Sequence, residues 1–131
     1  MPKLILLKQP KDGVSRAKLI EYLKTVHGPR NSRLPGLKSY TLMVQVDPEE
    51  HDDVPEDIEY YDSSETLPVD LDATPYDAVE IHDFETMEDL LEGHSSKQGE
   101  KAESELGEVI DFNKEITIVV EDEEIADEPA R

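Results

Sequence analysis

With 131 residues, no cysteine and 33 acidic against 13 basic side chains, a formal net charge of -20, the chain has the length of one domain around one core. This composition excludes disulfides, thiolate metal centres and cysteine nucleophiles, and it argues against nucleic acid or anionic membranes as partners. No window approaches the roughly 18 apolar residues that span a bilayer, so a cytoplasmic protein is expected.

The charge is uneven. Residues 1–40 carry nine Lys or Arg against Asp12 and Glu21, a balance of +7, while residues 41–131 carry four against 31, a balance of -27. Acidity on this scale fits either a disordered acidic interaction protein or a folded protein of a high-salt cytoplasm, where counterions screen self-repulsion. The runs LILL, YTLMVQV and ITIVV are strand sequences that a solvating tail lacks. They favour a halophilic globular protein.

In chain order, Lys3 to Lys8 reads as a short strand, apolar on both faces as in the interior of a sheet. Ser15 offers an N-cap, and Leu19, Ile20, Leu23, Val26 and His27 recur at helical spacing, so a helix is predicted from Arg16 to about His27. Gly28 and Pro29 are expected to stop it. Leu37 to Val46 alternates, with Tyr40, Leu42, Val44 and Val46 on one face. Tyr76 to Asp83 is a third strand, with Val79 and Ile81 facing one way and Tyr76, Ala78, Glu80 and His82 the other. Thr86 caps a second helix that Gly93 should break, and helical character resumes from Lys97 to Leu106. Lys114 to Glu121 is the last strand, with Ile116, Ile118 and Val120 on one face.

Two segments stand outside this framework. Residues 47–75 hold twelve acids, four prolines and no Lys or Arg, and read as an acidic loop insertion. Residues 122–131 read as an acidic tail that frays.

What remains is a single α+β domain over residues 1–121 in the order βαβ, loop, βαβ. Two right-handed βαβ units of this kind make the ferredoxin-like βαββαβ fold, an antiparallel four-stranded sheet with its helices on one face. The other face is then bare and apolar, and a second subunit laid sheet to sheet would cover it. A homodimer enclosing a shared, barrel-like interior is therefore expected.

Several stretches can be read together: the lysine-flanked first strand, a helix ending in His27-Gly28-Pro29, the run RLPGLKSY, Tyr76-Asp77, and SSKQGEKAESELGEVIDF. They resemble the EthD-like family of dimeric α+β barrel proteins. Within the family's pattern His27, Pro29, Pro35, Gly36, Leu37, Lys38 and Tyr40 stand in order, and Tyr76 and Asp77 open the later strand. His82 stands near a position where the family usually has an aromatic, and the insertion at 47–75 is longer than usual. The resemblance implies a dimeric barrel with a small-molecule cavity, and no single reaction, since relatives differ in chemistry.

The candidate acid/base residues are His27, His82 and Glu80. His27 borders the buried stripe at the expected end of helix 1, where a positive charge is favoured; the alternative is a residue that caps the helix. Glu80 and His82 form a row with Tyr76, about 7 Å between members. If their face lines the dimer interior, the row offers an acid or base, a carboxylate and a phenol to orient a carbonyl substrate. If it is only the subunit contact, they are interface hydrogen bonds. Tyr40 and Tyr76 are candidates to bind substrate, with a core aromatic as the alternative for Tyr40.

His51-Asp52-Asp53 and His82-Asp83 pair potential metal ligands. Neither has a second partner at recognised spacing, so no metal site and no cofactor is expected. The function expected is binding or transformation of a small carbonyl or aromatic compound by proton-transfer or oxygen chemistry. The alternatives are a non-enzymatic ligand-binding or accessory module, or a structural dimer with a filled barrel. A cavity on the order of a few hundred cubic ångströms reaching His27 or His82 would favour a ligand site.

Overall fold

The computed structural model describes residues 1–46 and 76–125. The acidic segment 47–75, with His51, and residues 126–131 lie outside them. Four strands form one antiparallel sheet in the order β2-β3-β1-β4: β1 is Pro2–Lys8, β2 Leu37–Val44, β3 Ala78–Phe84 and β4 Ile116–Glu121. The helices are α1 (Arg16–Tyr22), α2 (Gly28–Asn31), α3 (Met87–Ser95) and α4 (Lys97–Leu106). This is the ferredoxin-like α+β arrangement, with β1 and β3 as the inner strands. Strand ends differ from expectation by one to two residues: Tyr76 and Asp77 precede β3, and β4 follows a 3-10 turn at Phe112–Lys114.

The first helical run does not stop at Gly28-Pro29. After α1 it widens into a π turn, Leu23–His27, and continues as α2 to Asn31. Proline has no N–H to donate and its ring crowds the preceding turn. The π turn meets both needs, because Gly28 N–H reaches back five residues to the Leu23 carbonyl and Pro29 falls in the first turn of α2. His27 is therefore inside a helical run rather than at its end, and no helix C-terminus favours a positive charge there.

Gly93 does not break the second helix either. It is buried within α3, where a β-carbon would lie 2.8 Å from the Pro35 carbonyl oxygen and 2.9 Å from the Phe84 ring. Its role is close packing of α3 on the sheet. The break comes at Ser96, whose hydroxyl accepts from Gly99 N–H and caps α4.

Alternation gives the two faces of the sheet different surroundings. Leu4, Leu6 and Lys8 of β1 and Ala78, Glu80, His82 and Phe84 of β3 are buried. Their neighbours Ile5, Leu7, Val79 and Ile81 are only half-buried, on the face opposite the helices. The core divides into two apolar clusters: one holds Leu19, Leu23, Ala78, Leu106 and Ile110, the other Leu4, Leu6, Phe84 and Leu90. Along β3, Glu80 and His82 stand between Ala78 of one cluster and Phe84 of the other.

Candidate functional site

Glu80 and His82 point under the helices, not into a dimer interior or subunit contact. The register fixes this: Glu80 pairs with Leu6 and Leu42, and His82 with Leu4 and Tyr40, the residues of β1 and β2 that share the helix side. His27 and Asn31, one turn apart, come down onto them from the π turn and α2. His94, four residues after Leu90 on the packed stripe of α3, arrives from the other side.

The contacts form a connected network. Glu80 Oε2 lies 3.1 Å from His82 Nε2 and 3.3 Å from Asn31 Nδ2, and Oε1 lies 3.5 Å from His27 Nε2 and 3.6 Å from Lys8 Nζ. His82 Nε2–H donating to Glu80 leaves Nδ1 to accept from His94 Nε2–H at 3.1 Å. The rings of His82 and His94 stack, and Tyr40 is tilted against His82 with centroids 5.1 Å apart. His27 Nε2 is 2.8 Å from the Asn31 amide nitrogen. It therefore has an amide that can donate to it and a carboxylate that can accept from it, a partner in either protonation state. Among the described residues His27 Nδ1, Tyr40 Oη and Glu80 Oε1 are buried without a hydrogen bond, an arrangement that is rare in folded proteins.

Burial alone would raise the pKa of Glu80. The neighbouring imidazoles of His27 and His82 and the charge of Lys8 reverse this and hold it well below the usual carboxylate range. His94 is brought down to about 4, first by burial and then by His82. Burial, and after it the charge of Glu80, pushes the Tyr40 hydroxyl well up. The site thus holds a fixed carboxylate, a neutral imidazole and a neutral phenol side by side.

Lys8, His27, His82 and His94 surround a cavity of about 20 Å3, with Glu103 and Glu115 at its rim. That is room for one water, far below the few hundred cubic ångströms expected of an open ligand site. Glu80 and Tyr40 are not among its walls; they back the histidines.

Of the five residues singled out from sequence, four meet here: His27, Glu80, His82 and Tyr40. Tyr76 is half-buried ahead of β3 and takes part in none of these contacts among the described residues. Three members were missed. Lys8 is 1% exposed and ion-paired to Glu115 at 2.6 Å; its two-residue spacing from Leu6 was the available signal. Asn31 is four residues after His27, hidden by a helix stop that does not occur. His94 was masked by reading Gly93 as a breaker. Among the described residues no group of three or more acidic or histidine side chains is arranged to hold a metal ion.

No protein-family model and no curated protein matches the chain. Solved structures do. An ethyl tert-butyl ether degradation (EthD) family protein from Bacillus halodurans aligns with a TM-score of 0.61 at 13% identity, covering 94% of this chain and 99% of that one. A dimeric ferredoxin-like protein of unknown function from Thermobifida fusca aligns at 0.60 and 13%, covering 91% and 88%. SnoaB, a cofactor-independent oxygenase from Streptomyces nogalater, aligns at 0.60 and 9%, covering 97% of each chain. At these identities the likeness is one of fold. The protein is similar to ferredoxin-like α+β proteins, among them an EthD family member and dimers. Among the described residues no helix is long and apolar enough to cross a membrane.

Proposed function

We propose that the protein is an EthD-like dimeric barrel protein whose helix-covered histidine cluster binds a small carbonyl or aromatic compound and moves a proton on it without a bound cofactor. The observation that carries this reading is Glu80: a carboxylate with no exposed surface, held between two histidines beside a water-sized void. Isolated carboxylates are not buried without strong compensation, and a polar core group of this kind costs stability that apolar packing would not. In this reading the free Nδ1 of His27 meets the ligand's carbonyl oxygen. The proton passes between His94 and His82, while Glu80 stays ionised, orients His82 and stabilises its charged form, the role a third group plays behind a general base.

The apolar face opposite the site, with Met43 42% and Ile118 45% exposed, is assigned to a second copy of the chain; the dimeric neighbours of the same fold support this. A second reading, a non-enzymatic ligand-binding or accessory module, is favoured by the small size of the void. The acidity is read as adaptation to salt, so lowering salt should destabilise the fold as repulsion is unscreened.

Ring 1H–15N NMR of the full chain with acetophenone tests the site. Shifts of His27, His82 and His94 signals, lost in His82→Ala, are expected; unchanged signals at millimolar ketone would count against it.

A further inference from the structure

The void at the histidines does not end in packed protein. Its rim residues Glu103 and Glu115 also line an open groove of about 580 Å3 between α4 and β4, which Glu100, Ser104, Phe112 and Thr117 complete. Glu115 spans the boundary. Its Oε2 is 2.6 Å from Lys8 Nζ on the inside, and its Oε1 accepts from Thr117 Oγ1 at 3.4 Å on the groove side. His27 lines the same void, its side chain is 4% exposed, and its Nδ1 has no hydrogen-bond partner among the described residues.

We propose that the α4/β4 groove is the ligand's entrance, that Glu115 is the gate between groove and histidines, and that the acidic mouth admits neutral and cationic molecules while turning anions away. This rests on the reading of the histidine cluster as a ligand site, and it narrows the ligand class of that site.

Size requires a gate. A benzene-sized guest occupies a cavity of about 150 Å3, which the void of about 20 Å3 does not offer, whereas the groove has the volume but lies outside. Swinging one side chain joins them. When Glu115 leaves, Lys8 keeps Glu80 at 3.6 Å, so the lysine is not left as an uncompensated buried charge, the costly outcome for a broken buried pair. Glu100, Glu103 and Glu115 put three carboxylates at the mouth, where an incoming anion meets like charge beside a low-dielectric wall. Phe112, 43% exposed, gives the groove an aromatic surface. The comparable groove on α1, lined by Arg16, Ile20, Lys24 and Thr25 among others, is also about 580 Å3 but shares no wall residue with the void.

Acetophenone, benzylamine and benzoate share a ring and differ in charge, and the histidine ring signals of the full chain report on each. Acetophenone and benzylamine should shift His27, His82 and His94, with benzoate at least tenfold weaker. That gap should close in Glu100→Gln/Glu103→Gln, two exposed positions, and at higher salt. Ser104→Trp should weaken acetophenone at least tenfold, while Thr25→Trp in the α1 groove leaves it unchanged. Benzoate acting as strongly as acetophenone on the wild type, or indifference to Ser104→Trp, overturns the gate and leaves the site standing. No histidine response to any of the three probes overturns the site and the gate together.

Discussion

On β3, Glu80 and His82 are buried beneath the helices at 0% and 1% exposure, whereas Val79 and Ile81, their neighbours in the chain, lie on a face that no helix covers among the described residues. At these positions of β3 the covered face carries polar, ionised groups set among the apolar core and the other face carries apolar groups, the reverse of what solvent alone would select. In the proposed reading two functions share the sheet. The apolar face would meet a second copy and tolerate side chains of similar size. The polar face needs a fixed set of hydrogen bonds, because each member is a buried group that would be costly alone.

This contrast can be broken first on the covered side. Glu80→Ala leaves Lys8 with Glu115 alone and takes the carboxylate from His27 and His82, so urea unfolding at constant salt should show a loss of about 3–5 kcal/mol; a loss below about 1 kcal/mol would mean that the network is solvated. On the uncovered side, Ile118→Asp places a charge in the proposed sheet-to-sheet contact. Dimerisation measured by sedimentation should weaken on the order of a hundredfold, about 2.7 kcal/mol, with the histidine ring signals unmoved. If those signals collapse as well, the two faces are not independent.

The smallest effect sharpens the polar side alone. The unfolded chain takes up the His94 proton near 6.5 and the folded chain near 4, so between these values the unfolded state binds more protons. Stability is then unaffected by this group above pH 6.5 and falls as pH is lowered toward 4. Glu80, whose folded pKa is depressed, adds a loss of the same sign only below its ordinary 4.5. His94→Gln should therefore flatten the stability profile between pH 6.5 and 4.5, and an unchanged slope there would mean that His94 is not held neutral.

The fold was legible because it rests on periods: alternation in β2, β3 and β4, helical spacing in α1, and cap residues Ser15 and Thr86 that accept the hydrogen bonds expected of them. Alternation also put Glu80 and His82 on one face. It did not say what covers that face, since this depends on which side the crossover helices pack. The site was half legible for a related reason. Gly28, Pro29 and Gly93 are local stop signals, and tertiary packing overrode each: a π turn absorbs the proline, and Gly93 is small because Phe84 and Pro35 press on it. Asn31 and His94 lie just beyond those false stops. Lys8 closes a strand read as apolar on both faces, and only the fold shows Glu80 and Glu115 around it.

The central claim is that the buried histidines transfer a proton on a carbonyl compound. Exchange of the methyl hydrogens of acetophenone for deuterium in D2O, followed by NMR with wild-type protein and with His82→Ala and Glu80→Gln, measures that transfer directly. Exchange above the buffer rate is expected, falling about 100-fold or more in His82→Ala and dropping also in Glu80→Gln. Exchange at the buffer rate with folded wild-type protein, or a rate indifferent to both substitutions, would contradict it.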